Sequence, residues 1–416
     1  MIPKNTRLAV PLALVINGLL AQLAQAQHAS PNADYGSPSI YDWDWLLTRP
    51  VEPSPSLETH SPTPAREPAK GGQGGNILPT IPGNPISRSP LLDALNKLGP
   101  AEREAALAQL AGADNANLAQ ATLSGARQVG DSALSAMRQP GEGGSRLWLQ
   151  SLNNTGRFEP AQGRKDFHQT TQGLVLGADW SLGNEWRLGL VGGKSRSDHK
   201  GSHFKGELDS WHAGAYALRQ EGAAALRLGA IHSQHAGDTR RSVAFSGYRD
   251  RLSGNYTATS QQAFAEFGYT LGHAHLSAEP FAQLGYERYS RKGHLEKGGE
   301  AALRNSGQAQ DNFSTTLGLH AAGAWQLGGG LSLAPQLSAG WRHLYGKLDN
   351  PTVQMNPATG MTFMTRGIAE DKDSLVIDAG LELNLSPRHS LGVGYSGEFG
   401  ERNRSHGLMG QWTLAF

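Results

Sequence analysis

The chain has 416 residues, of which 37 are lysine or arginine and 36 aspartate or glutamate, a formal charge of +1. So small an imbalance argues against a nucleic-acid binder. The chain has no cysteine, so it makes no disulfides, and its 15 histidines are too scattered to suggest a metal centre.

Residues 1–26 read as a secretory signal. Lys4 and Arg7 supply the positive start, Leu8 to Leu20 the apolar stretch, and Ala24-Gln25-Ala26 a small-x-small cleavage site before Gln27. An uncleaved anchor needs about 20 continuous apolar residues, and Pro11, Asn17 and Gly18 interrupt these. No later stretch has the length and apolarity of a transmembrane helix, so any membrane insertion must use strands.

Residues 27–90 hold 12 of the 22 prolines and include Gly71-Gly72-Gln73-Gly74-Gly75. Such a segment favours extended, solvated backbone and builds no sizeable core, so it is expected to be largely disordered. Tyr41-Asp42-Trp43-Asp44-Trp45-Leu46-Leu47 interrupts it. Tyr41, Trp43 and Trp45 form either a chance apolar patch or a binding epitope, because such side chains carry much interface energy.

Residues 91–145 read as a helical linker. Ser89 and Pro90 suit a helix start, Pro100 opens a second helix, and a third spans about 114–138 before Pro140 and Gly141. Those 25 residues would extend about 37 Å, comparable to a bilayer. The third helix is rich in Ala, Gly, Ser, Asn and Gln, too polar for lipid and slim enough for a pore. A linker helix outside the membrane is the alternative.

Residues 146–416 read as about 12 strands of alternating polarity. Short connections (183, 221, 272, 329 and 387) alternate with longer polar ones (156–167, 199–203, 249–254, 292–307 and 347–369) and a tight turn near Glu401-Arg402. That rhythm suits an antiparallel transmembrane β-barrel with short turns on one side and loops on the other. The outward set includes Leu174, Leu176, Ala178, Trp180, Trp186, Leu188, Leu190, Leu333, Leu337, Trp341, Leu375, Ile377, Leu381, Leu383 and Leu385. Asp378 and Glu382 fall on the inner register. A soluble β-sandwich also hides one face, but the signal, the strand lengths and Phe416 favour the membrane. In the last strand Leu408, Gly410, Trp412, Leu414 and Phe416 share one face.

Several segments resemble the autotransporters, the type V secreted proteins of Gram-negative bacteria. They are Ser246-Gly247 with Tyr256, Gln262, Phe264, Glu266, Gly268 and Tyr269; then Leu276-Ser277-Ala278-Glu279-Pro280-Phe281-Ala282; then Gly298-Gly299-Glu300-Ala301-Ala302-Leu303; and Gly407 to Phe416. The resemblance covers about residues 100–416. It implies a 12-stranded translocator with a helix through the pore to an external N-terminal passenger, here unusually short and proline-rich. It also implies that Trp412, Leu414 and Phe416 form the assembly signal read by the outer-membrane assembly machinery, with periplasmic chaperones as earlier partners.

The expected function is export or display of the passenger, for adhesion to a host surface protein or matrix. The alternative is a structural outer-membrane barrel with a vestigial passenger. Outer-membrane lipid is a further partner, and one chain closes the barrel, so a monomer is expected. Glu266 and Glu279 fall in the lumen as candidate acceptors for Arg127 or Arg138 of the pore helix; solvated lumen carboxylates are the plainer reading. Arg240, Arg241, Arg249 and Arg251 read as solvated rim groups. Gly130-Asp131-Ser132-Ala133 resembles a surface-esterase block, but it lies in the helix, away from the turn that a nucleophilic serine needs. No Ser/His constellation is evident, so no enzyme, catalytic residue, metal or cofactor is expected.

Overall fold

The computed structural model describes residues 89–139, 144–159, 167–273, 275–346, 348 and 351–416. The expected signal, nearly all of the proline-rich segment and Tyr41, Trp43 and Trp45 lie outside the described residues.

Among the described residues, one sheet of fourteen strands closes on itself. Twelve of its strands are long: β1 (Arg146–Phe158), β2 (Phe167–Leu182), β3 (Trp186–Lys200), β4 (Phe204–Glu221), β5 (Ala224–Phe245), β6 (Tyr248–Tyr269), β7 (Leu276–Arg291), β8 (Gln308–Gly323), β9 (Leu331–Gly346), β10 (Asp373–Asn384), β11 (His389–Phe399) and β12 (Asn403–Ala415). The short members, Leu271–His273 and Trp325–Gly328, extend β7 and β9 hairpins. Long strands that follow one another pair antiparallel, and β12 returns to β1, Ala415 opposite Arg146 and Asn403 opposite Phe158. The pairing closes the ring of long strands, so each of the twelve has a hydrogen-bonded neighbour on both sides.

Alternation then sends one face of each strand outward. Every residue of the expected lipid-facing set is exposed or part-exposed. Trp180, Trp186, Trp325 and Trp341 are among the exposed aromatics. Inward residues such as Val175, Asp179 and Thr171 are fully buried. Among the described residues no helix is long and apolar enough to cross a membrane; the strands supply the apolar belt.

Inside the wall, large rings lie over glycines of the next strand. Trp148 faces Gly177, Tyr216 faces Gly189 and Phe264 faces Gly229. A Cβ on any of the three glycines would stand 2.2 Å from a ring atom. The missing side chain is what lets each ring lie flat on the wall.

β5 and β6 run 22 residues each, about twice what a tilted strand needs to span a bilayer. They turn at Ser246-Gly247, with Gly247 at φ 79°, and the expected loop at 249–254 is strand. Its charges, Arg249 and Arg251, point outward above the belt, where water solvates them.

The other loops at this end are folded as well. The short strands His294–Leu295, Arg304–Asn305, Pro351–Met355 and Thr362–Arg366 make a four-stranded sheet within the expected loops 292–307 and 347–369. α1 (Pro90–Asn96) and α2 (Pro100–Leu110) pack onto it. Leu91, Leu95, Leu110, Val243, Leu303 and Phe363 form the core of this cap. Ser89 caps α1, and Glu300 accepts hydrogen bonds from Ser89 Oγ (2.7 Å) and Leu91 N (3.0 Å). A tight 3-10 turn, Ala113–Asn117, leads into α3 (Leu118–Arg138), so the expected helix starts a few residues late.

Candidate functional site

α3 lies in the lumen and has two faces. Val129, Ala133 and Met137 pack with Trp148, Val175, Val191 and Ile231, while Ala119 and Leu123 pack in the cluster of Phe158, Phe167 and Tyr289. Gly125 and Gly130 bring the helix close to the wall; a Cβ at Gly130 would stand 2.9 Å from Gln262 Oε1. Ser124, Arg127, Asp131, Ser135 and Arg138, three or four residues apart, make the opposite, polar stripe.

Three sets of charges tie the helix to the wall. Arg127 donates to Glu287 (2.7 Å) and Glu370 (2.6 Å), with Glu398 at 3.7 Å. Glu398 also accepts from Arg342 (2.9 Å) and Ser374 Oγ (2.8 Å). Lower down, Arg138 pairs with Glu266, its Nε 3.1 Å from the carboxylate. Arg227, absent from the sequence reading, bridges Glu266 (3.1 Å) and Glu279 (2.5 Å). Thr270 Oγ1 donates to Glu279 as well. Arg127 therefore takes partners other than the two carboxylates considered for it, and Glu279 is held by the wall, not by the helix. At the base, Arg146 makes two bonds of 3.0 Å to the fully buried Asp179 and a third to the Ala136 carbonyl of α3. Tyr216 OH donates to Asp179 and accepts from Trp148 Nε1, each at 2.8 Å.

Arg241 corrects another expectation. It is buried in the cap, not solvated, and binds Glu296 along with the Gln109 and Ala301 carbonyls. Arg240 remains on the exposed rim. Beside Arg241, Asn115 Nδ2 donates toward Gln354 Oε1 (3.0 Å), Asn305 Oδ1 (3.3 Å) and Glu296 Oε1 (3.4 Å). Gln354 Nε2 in turn holds the Ala111 and Gly112 carbonyls. Burial, with Arg291 nearby, lowers His294 in the same cap to about 4.

Serine and histidine do come together in the wall. His212 bonds Ser195 (2.9 Å) and Ser233 (2.8 Å); His235 bonds Ser210 (2.8 Å) and Ser260 (2.9 Å). Both rings are buried on the inner face, and strand register alone brings these partners together. Serine hydroxyls occupy both nitrogens of each ring, so no carboxylate orients either one as a triad requires. Ser132 Oγ is tied back to the Gln128 carbonyl at 2.8 Å. Among the described residues no group of three or more His, Asp or Glu side chains is arranged to hold a metal.

A closed barrel with an apolar belt and an ion-paired helix in its lumen defines an outer-membrane barrel of the self-plugged kind. Residues 147–396 match the Autotransporter beta-domain family. The chain belongs to the autotransporter family, and its barrel sits in the Gram-negative outer membrane. Two proteins of Serratia marcescens, each named extracellular serine protease, are 30% identical over 326 and 327 residues, 76% of this chain and 31% of theirs. The chain thus spans about a third of the length of these curated relatives. The translocator domain of autotransporter NalP from Neisseria meningitidis shares the fold, with a TM-score of 0.59 and 17% identity over 73% of this chain and 98% of that one.

These relatives overturn one expectation. The chain was expected not to be an enzyme, yet the proteins that match most of its length carry protease names. Motifs within the chain, its Ser/His patterns included, give no sign of such relatives.

Proposed function

We propose that the barrel exports the N-terminal part of its own chain and displays it at the cell surface for contact with a host protein or matrix. The observation that carries this reading is the direction of the chain. Arg146 pairs with Ala415 at the short-turn end, α3 crosses the lumen, and Ser89 emerges at the long-loop end, bonded to Glu300. Outer-membrane lipid, periplasmic chaperones and the assembly machinery that reads Trp412, Leu414 and Phe416 are the partners this route needs. Residues 1–26 act as the signal, 27–90 as passenger, 91–145 as linker and 146–416 as translocator. A tag inserted between Gly74 and Gly75 should bind antibody on unpermeabilised cells. Staining only after the outer membrane is opened would end the display reading.

The names of the Serratia relatives favour a second reading, in which the exported part of the chain takes part in proteolysis. Cells making the protein should then degrade a casein substrate faster than cells lacking it, in a manner blocked by a serine-directed inhibitor. Equal rates in both strains would count against it.

A further inference from the structure

We infer that a row of basic side chains on the outer wall of the barrel binds the phosphorylated sugar headgroup of lipopolysaccharide in the outer leaflet. This rests on the place of the barrel in the outer membrane and is independent of which segment is displayed. Arg404 on β12 stands opposite Arg157 on β1, and Arg157 opposite His168 on β2. The row continues through Lys200 on β3, Lys205 on β4 and Arg240 on β5. It ends at Ser253 on β6, which bridges Lys297 of the cap. All eight side chains are exposed; six are Lys or Arg and none is acidic. At about 4.8 Å per strand, the seven strands carry the row across about 30 Å of wall.

Local energetics do not explain the row. Like charges directly opposite on neighbouring strands destabilise a sheet. Lys200 faces Lys205, and Lys205 faces Arg240. Among the described residues Lys200, Lys205, Lys297 and Arg404 form no ion pair; Arg157 lies 3.4 Å from Glu159 and Arg240 3.8 Å from Glu207. Glu207 belongs to an acidic row one step nearer the membrane, with Asp198 and Asp238, and its closer partner is Arg196 at 2.5 Å. That acidic row covers only β3 to β5. Most of the positive charge is therefore left to a partner outside the chain.

The height of the row points to a lipid. On β2 His168 is six residues beyond Leu174, and on β4 Lys205 is six beyond Trp211, both Leu174 and Trp211 being exposed. A tilted strand rises about 15 Å over six residues. The row thus faces sideways into the sugar layer of the outer leaflet, while acyl chains run down the apolar belt beneath it. Lys194 Nζ, 5.2 Å from the Trp211 ring centroid, marks the boundary between the two. Lysine and arginine side by side match a ligand that bears several phosphates. Lipopolysaccharide offers these on its core sugars, whereas a phospholipid has a single phosphate.

The test titrates the dye-labelled full chain in detergent micelles with rough lipopolysaccharide that keeps its phosphorylated core, with lipid A alone and with heparin, and reads affinity by thermophoresis. Lipopolysaccharide should bind more tightly than lipid A, and added salt should weaken it. Combining Lys200→Gln, Lys205→Gln and Arg240→Gln should lower its affinity about a hundredfold, at roughly fivefold for each cation removed, while the barrel keeps its heat-modifiable mobility on gels. Asp198→Asn, next to the row, should bind at least as tightly as wild type. Equal affinity in the folded triple variant, or lipid A bound as tightly as lipopolysaccharide, would overturn the inference. Heparin bound as tightly would also overturn it, giving the row to a soluble sulfated polysaccharide instead.

Discussion

Gly177→Val should leave almost no folded barrel. The Trp148 ring occupies the place a side chain would take, with Cε2 2.2 Å from the position of a Cβ. A ring under pressure can usually swing aside, at a cost of about 1–3 kcal/mol. This one cannot do so cheaply. Its Nε1 is bonded to Tyr216 OH, Tyr216 to Asp179, and Asp179 to Arg146 on β1 and Arg187 on β3. The strain therefore spreads over four strands and the foot of α3. Heat-modifiable migration after refolding measures the outcome, and Gly380→Ala, which has free space, serves as the tolerated control. Trp148→Ala placed in the same chain should restore part of the folded band, because the two changes act through one contact. Full folding of the single valine variant would show that the ring is not fixed in the way its bonds imply.

Arg127→Ala should loosen the plug. The side chain is nearly buried and, among the described residues, is the sole cation bonded to Glu287 and Glu370, with Arg342 left to serve Glu398. Removing one partner from a buried ion pair costs about 3–5 kcal/mol, mostly from the charges left without a counterion. The urea midpoint for loss of the folded barrel should fall, and bilayer current should rise as α3 moves more freely. Arg127→Lys should lie between the two, since an ammonium keeps the charge but cannot reach two carboxylates as a fork. A midpoint and current equal to wild type in the alanine variant would mean that the other contacts hold the helix by themselves.

The barrel was legible in the sequence wherever one face met lipid. On β2, Leu174, Leu176 and Trp180 stand out because hydrocarbon accepts only apolar groups, which imposes a strict period of two. The signal fades above the belt. Arg249 and Arg251 look like loop residues because water, not lipid, faces that part of β6. The short cap strands were hidden for a related reason. Two or five residues are too few to show a period, and their inner face packs against α2 and the turn before α3.

The lumen was only half legible. Arg138 and Glu266 were named, because a charge on the inner register of a barrel needs an explanation. Arg227 and Arg241 were missed as partners, since only strand register and loop folding bring them to Glu279 and Glu296. The ladder of His212 and His235 escaped for the same reason: each serine sits on a neighbouring strand, 17 to 25 residues away. The relationship to proteins named as proteases was invisible to motif reading, since it rests on similarity spread over some 326 residues.

The pairing of β12 with β1 makes the wall a test of completeness. A chain stopped anywhere before Asn403 would expose the bare flank of β1 and that of its own last strand, each a row of unshared amides. Neither flank can be tolerated in hydrocarbon, where each unmet group costs several kcal/mol. Stable residence in the membrane is thereby reserved for polypeptides that carry the final hairpin. Fragments lacking it are left in water, within reach of the proteases that clear them.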